Sequence, residues 1–109
     1  MDIDNAEAWL DKLPGLLRRL YKDCDLIIYN AGVDCHIEDP LGGRFTSEQI
    51  YRCDKIVFDY CTKHKKGCVF TLAGGYQTPI ENVLALHDGT ILAWADSIGV
   101  RKMAPGRFR

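Results

Sequence analysis

Apolar residues recur at helical spacing near the start of the chain, where Trp9, Leu10, Leu13, Leu16, Leu17 and Leu20 would share one helix face. Asp4 or Asn5 stands where a cap belongs, with Glu7 three residues after Asp4. Pro14-Gly15 interrupts the pattern. Either one helix kinks there, or a short helix ends and a second begins with Pro14 in its first turn. The period then changes. Leu26, Ile27, Ile28 and Tyr29 form an unbroken apolar run with β-branched members, which predicts a strand covered on both faces. Residues 30–44 follow as a long loop rich in glycine and acids, the kind of segment that carries function more often than short turns do.

Thr46 and Gln49 fit a capping box for a second helix, whose apolar stripe is Ile50, Cys53, Val57 and Tyr60 or Cys61. The stretch KHKKG ends it. Its cations suit the negative helix terminus, and Gly67 suits the left-handed position just beyond. CVFTLAGGY is a second buried strand that again ends in glycine. TPIENVLALHDGTILAWADS reads as a third helix, with Thr78 as its cap, Pro79 in its first turn and Gly89 as a weak point inside it.

The order is therefore α-β-α-β-α. A strand, helix, strand unit with a crossover of this length is a parallel βαβ unit. Sites in open parallel sheets lie beyond the carboxyl ends of the strands. The loops 30–43 and 73–78 both leave such ends, so Asp34 and Tyr76 are expected on one edge of the sheet although they lie far apart in the chain. Two strands make a small parallel sheet, and such sheets are normally larger and buried on both faces. Further strands, from a partner chain or a missing part of the gene, are expected to complete it.

Composition changes this picture little. The chain has 109 residues, 47% of them hydrophobic, and a formal net charge of −1, which describes one ordinary globular domain or part of one. No apolar run is long enough to cross a bilayer. The acidic start MDIDNAEAW lacks the basic and apolar regions of a signal peptide. The five cysteines, Cys24, Cys35, Cys53, Cys61 and Cys68, include no Cys-x-x-Cys pair, so reduced thiols and a cytoplasmic protein are expected. Charge is uneven only in a basic C-terminal tail, 98–109, where Arg101, Lys102, Arg107 and Arg109 occur with no acid. A solvated terminus accounts for that tail, and nothing else in the sequence suggests nucleic acid as a partner.

The two strand ends carry a resemblance. DLIIYNAGVDCHIEDPLGG followed by CVFTLAGGY resembles the C-terminal part of the histone deacetylase family, which includes the acetylpolyamine amidohydrolases. A strand, Ala-Gly-x-Asp, Asp-Pro-Leu-Gly, a helix, a strand and Gly-Gly-Tyr occur in that order. Each motif alone is weak, whereas the ordered set is specific, and it covers about residues 9–94. The resemblance implies that residues 1–97 are a partial three-layer α/β domain with a parallel sheet, of the arginase/deacetylase type. It implies Asp34 as one of three zinc ligands and Tyr76 as the phenol that hydrogen-bonds the amide carbonyl. It implies Leu41 at the mouth of an acyl-lysine tunnel, and Gly74 and Gly75 in its wall. The substrate class would be acetylated lysine or an acetylated polyamine. Zinc in such a site polarises the carbonyl and lowers the pKa of its bound water, and a phenol donor stabilises the developing oxyanion.

The departures are large. The family's other two zinc ligands, from an upstream Asp-x-His, and its tandem His-His are absent here. Asp34-Cys35-His36 is itself an Asp-x-His string, but the surrounding motifs align Asp34 with the single late ligand, and His36 with a histidine that is not a ligand. A catalytic zinc needs three protein ligands and an open position. The sequence therefore reads as the last third of a deacetylase, inactive without an N-terminal segment. The alternative is a non-enzymatic remnant or interaction module that assembles, as a homo-oligomer or with a partner, through its sheet edge.

Overall fold

The computed structural model describes residues 5–100. The elements are α1 (Ala6–Tyr21), β1 (Leu26–Gly32), α2 (Ser47–Lys63), β2 (Gly67–Ala73) and α3 (Glu81–Ser97). The two strands pair in parallel, with Leu26 opposite Gly67 and Gly32 opposite Ala73. The expected order and the parallel βαβ unit are both present.

Local chemistry explains the helix limits. Asn5 caps α1 by accepting a hydrogen bond from the Ala8 N–H at 3.1 Å. Asp4, the other candidate cap, lies outside the described residues. Helix α1 runs on through Pro14, so the interruption neither ends it nor starts a second helix. Leu10, Leu13 and Leu17 lie on its buried face, and their burial is what carries the helix past the proline. The capping box at α2 is present in both directions: Thr46 Oγ1 accepts from the Gln49 N–H at 3.2 Å, and Gln49 Oε1 from the Thr46 N–H at 2.9 Å.

Two expected termini are corrected. The left-handed residue after α2 is Lys65, with φ 55°, and not Gly67, which opens β2. Lys65 N–H donates to the Thr62 carbonyl and Lys66 N–H to the Cys61 carbonyl, the paired bonds that close a helix C-terminus. Gly67 N–H is instead taken by the Asp25 carbonyl at 2.8 Å. At α3 the cap residue is Ile80, without a side-chain cap bond, so Thr78 does not cap the helix. The Thr78–Pro79 peptide is cis, and the Pro79 carbonyl accepts from the Asn82 N–H in the first turn.

Helix α2 lies between α1 and α3. All three helices pack on the sheet face that carries Ile27, Tyr29, Cys68 and Phe70. Phe58 of α2 is 2% exposed and meets Tyr29 and Phe70 edge-on, with ring centroids 5.7 and 5.0 Å away. The opposite face differs from the expected double cover. Leu26, Ile28 and Val69 are all more than half exposed there, beside an Asn30–Thr71 hydrogen bond. Among the described residues nothing covers this second face.

Candidate functional site

The site is built where both strands end. Val33, fully buried, extends the ladder one residue past β1 by donating its N–H to the Ala73 carbonyl at 3.1 Å. Asp34 comes next and is half-buried. Among the described residues no group hydrogen-bonds its carboxylate. Gly74, the first residue past β2, lies against it: a Cβ there would stand 2.8 Å from Asp34 Oδ1. Gly75 has φ 102° and runs between Val33 and Val83, so close that a Cβ would meet their methyls at 2.8 and 2.6 Å. The glycine pair thus has a reason within this chain, because bare backbone is all that fits beside Asp34 and Val33.

The loop after Asp34 folds back on itself. Phe45 N–H donates to the Cys35 carbonyl at 2.9 Å, and Ile37 N–H to the Phe45 carbonyl at 2.8 Å. Gly43 makes this approach feasible, since a Cβ there would overlap the Cys35 carbonyl. The turn leaves Asp39 only 4% exposed. Its Oδ1 accepts from the Leu41 N–H at 2.9 Å, the turn chemistry typical of an aspartate that precedes a proline. Its Oδ2 does something the sequence did not indicate: it accepts from the Tyr76 N–H at 2.8 Å. One buried carboxylate therefore fastens the loop after β1 to the loop after β2. The side chains of Leu41 and Tyr76, 66% and 58% exposed, stand out from this junction.

His36 is buried with both ring nitrogens engaged. Glu38 N–H donates to Nδ1 at 3.0 Å, and Nε2 lies 3.0 Å from Ser47 Oγ. A backbone N–H can only donate, so Nδ1 accepts and the neutral ring carries its proton on Nε2. Nε2–H then donates to Ser47, and His36 cannot draw a proton from that hydroxyl. Burial also holds the imidazole below its ordinary pKa. The pair resembles a nucleophile and base only in its distance. Burial likewise raises the thiol pKa of Cys35 to about 11 and of Cys53 to about 12, so neither is a ready thiolate. All five cysteines are free.

A second buried carboxylate, Asp54, was also missed. It is 2% exposed and accepts from Tyr29 Oη at 2.5 Å and Thr90 Oγ1 at 2.6 Å, joining β1, α2 and α3. Burial raises its pKa, and the two hydroxyl donors offset part of that rise. A carboxylate on the apolar side of α2 gives no periodic signal, and its partners lie 25 and 36 residues away.

A family model for the histone deacetylase domain matches residues 7–87. The chain belongs to the histone deacetylase family. A histone deacetylase-family reading of the strand ends therefore rests on most of the chain and not on the loop motifs alone. The chain is also similar to an uncharacterized protein of Picosynechococcus sp., 33% identical over 64 residues. That stretch is 58% of this chain and 21% of the relative, so the chain spans far less than the length of the protein it matches. No solved structure matches. The family is generally zinc-dependent, yet among the described residues no group of three histidine, cysteine, aspartate or glutamate side chains could hold a metal. Asp34 offers one carboxylate and His36 has no free nitrogen. These residues alone do not fit a catalytic zinc.

Proposed function

We propose that this chain is the C-terminal part of a deacetylase site, one that hydrolyses the amide of acetyl-lysine or an acetylpolyamine once a further segment supplies the tandem histidines and the remaining zinc ligands. The observation that carries this is the junction itself. Asp34 and the Gly74–Tyr76 loop meet at the carboxyl ends of adjacent parallel strands and are fastened by Asp39. In this reading Asp34 contributes one ligand. The exposed phenol of Tyr76 donates to the amide oxygen as negative charge develops on it. Leu41 offers apolar contact at the entrance, and Gly74 and Gly75 form wall. Residues 1–97 belong to the site-bearing segment and 98–109 form a separate tail, in a cytoplasmic protein of three-layer architecture.

The test is co-expression with an upstream family segment that carries His-His and Asp-x-His, followed by assay of acetate release from an acetyl-lysine peptide and from an acetylpolyamine. Activity is expected, with loss on chelation, loss in Asp34→Ala, and a fall of about 100-fold or more in Tyr76→Phe. No activity, or activity indifferent to Asp34→Ala, would sink the reading.

The bare sheet face favours a second reading. Leu26, Ile28 and Val69 lie exposed side by side, and a non-enzymatic chain would use that face and the sheet edge to assemble with itself or a partner. Light scattering on the purified chain distinguishes the two: a stable monomer counts against self-assembly.

A further inference from the structure

Tyr76 is held by few contacts of its own. Its side chain is more than half exposed, so packing of the ring does not fix where the phenol stands. Two successive glycines with positive φ, Gly74 at 65° and Gly75 at 102°, turn the chain into it. Among the described residues, the one hydrogen bond Tyr76 makes is from its N–H to Asp39 Oδ2, at 2.8 Å. The backbone that carries the phenol is therefore tied to a carboxylate 37 residues away in the chain.

Asp39 is itself firmly anchored. Its Oδ1 accepts from the Leu41 N–H, its own N–H donates to the His36 carbonyl at 3.0 Å, and its carbonyl accepts from the Gly42 N–H at 2.9 Å. The His36 N–H donates in turn to the Val33 carbonyl at 3.3 Å. Val33 is fully buried and immediately precedes Asp34. A short series of bonds thus runs from the residue beside Asp34 to the backbone of Tyr76. It uses groups of this chain alone and is present whichever segment completes the domain. An oxyanion donor acts only where it stands within hydrogen-bond distance of the developing charge, and a displacement of about 1 Å costs on the order of 100-fold in rate.

We propose that Asp39 is a positioning residue of the completed site: buried away from substrate, it holds the Tyr76 N–H and so sets the place of the phenol relative to Asp34. The proposal rests on the deacetylase reading, which gives Tyr76 its carbonyl and Asp34 its zinc.

The experiment uses the full chain co-expressed with an upstream family segment that carries His-His and Asp-x-His. The parent, Asp39→Asn, Tyr76→Phe and the double variant are compared, with rates expressed per folded, zinc-loaded complex. Asp39→Asn is expected to lower kcat by about ten-fold or more, with KM within about three-fold and zinc content unchanged. In the Tyr76→Phe background the same substitution should cost less than about two-fold, because Asp39 acts through the phenol. A merely structural Asp39 would lower both backgrounds alike. Gly42→Ala strains the same turn at φ 79° and removes neither side-chain bond of Asp39, so kcat should stay within about two-fold. Where Asp39→Asn does not fold, Asp39→Glu takes its place with the same expectations, since it keeps both acceptors but moves them by one methylene. An unchanged kcat, an equal fall in both backgrounds, or loss of zinc in the Asp39 variant overturns the proposal and leaves the deacetylase reading standing. An inactive parent complex sinks that reading, and the positioning role with it.

Discussion

Replacing Asp39 by asparagine exchanges one carboxylate oxygen for an NH2 group and leaves the volume unchanged. In the native chain both oxygens accept, one from the Leu41 N–H at 2.9 Å and the other from the Tyr76 N–H at 2.8 Å. Hydrogen bonds to an ionised group contribute about 1.5–3 kcal/mol each, and a donor left facing another donor in a buried place loses its partner outright. Asparagine can keep one of the two bonds, without the charge. With the residue 4% exposed, water cannot replace the other. The expected loss is about 2–4 kcal/mol, and slightly more for Asp39→Ala. Urea unfolding at neutral pH would show it as a lower midpoint with an unchanged slope. Amide hydrogen exchange locates the effect: Tyr76 N–H should lose protection while core amides of β1 lose only what the global change dictates. A variant within about 0.5 kcal/mol of the parent, with Tyr76 still protected, would refute the idea that Asp39 fastens the two loops.

The three glycines with positive φ near the site should respond differently to alanine. Gly75→Ala meets the Val33 and Val83 methyls at 2.8 and 2.6 Å, Gly74→Ala meets the Asp34 carboxylate at 2.8 Å, and Gly42→Ala meets nothing within 4 Å. Unfolding midpoints should fall most for Gly75, by about 2–4 kcal/mol, and by only about 1 kcal/mol for Gly42, where left-handed strain acts alone; equal losses would contradict the close approach. Asp54 has its folded pKa raised by burial, above the ordinary 3.8. Its contribution is therefore fully present below that ordinary value and is lost as pH rises through the folded pKa. The stability difference between the parent and Asp54→Asn should shift towards the variant over that rise, and a difference independent of pH would count against the assignment. His36 runs the other way on the pH axis: burial lowers its folded pKa, so its contribution is present above the ordinary 6.5 and is lost as pH falls through the folded value. His36→Gln should lessen that acid loss in urea titrations; an identical acid limb in parent and variant would show that the Glu38–His36–Ser47 chain does not restrain the ring.

Much of this was legible in the chain. The switch from helical spacing to unbroken apolar runs placed both strands, and the Thr46–Gln49 box fixed the start of α2, because each is a matter of neighbours a few residues apart. The termini that went astray did so for lack of a local preference. Lys65 adopts φ 55° where Gly67 looked better suited, because the two closing bonds to Thr62 and Cys61 and the start of β2 at Gly67 leave the turn no other place. The apolar stripe of α2 was drawn too narrow. It omitted Phe58 and Asp54, since a helix packed between two others buries more of its circumference than a one-sided pattern suggests.

By itself the sequence determined the order of elements, the parallel pairing that a helical crossover imposes, and the pair of strand ends at which Asp34 and Tyr76 stand. It carried enough of the ordered motifs to indicate the family to which the domain match assigns the chain. Only the tertiary structure decided which polar groups are spent inside the protein. Asp39 holds Tyr76's backbone, Asp54 holds two hydroxyls from distant elements, and His36 is committed at both nitrogens. The physical reason is that a buried polar atom needs a partner, and apart from the Glu38 N–H beside His36 that partner is set by proximity in space, over separations of 11 to 37 residues that no local pattern encodes.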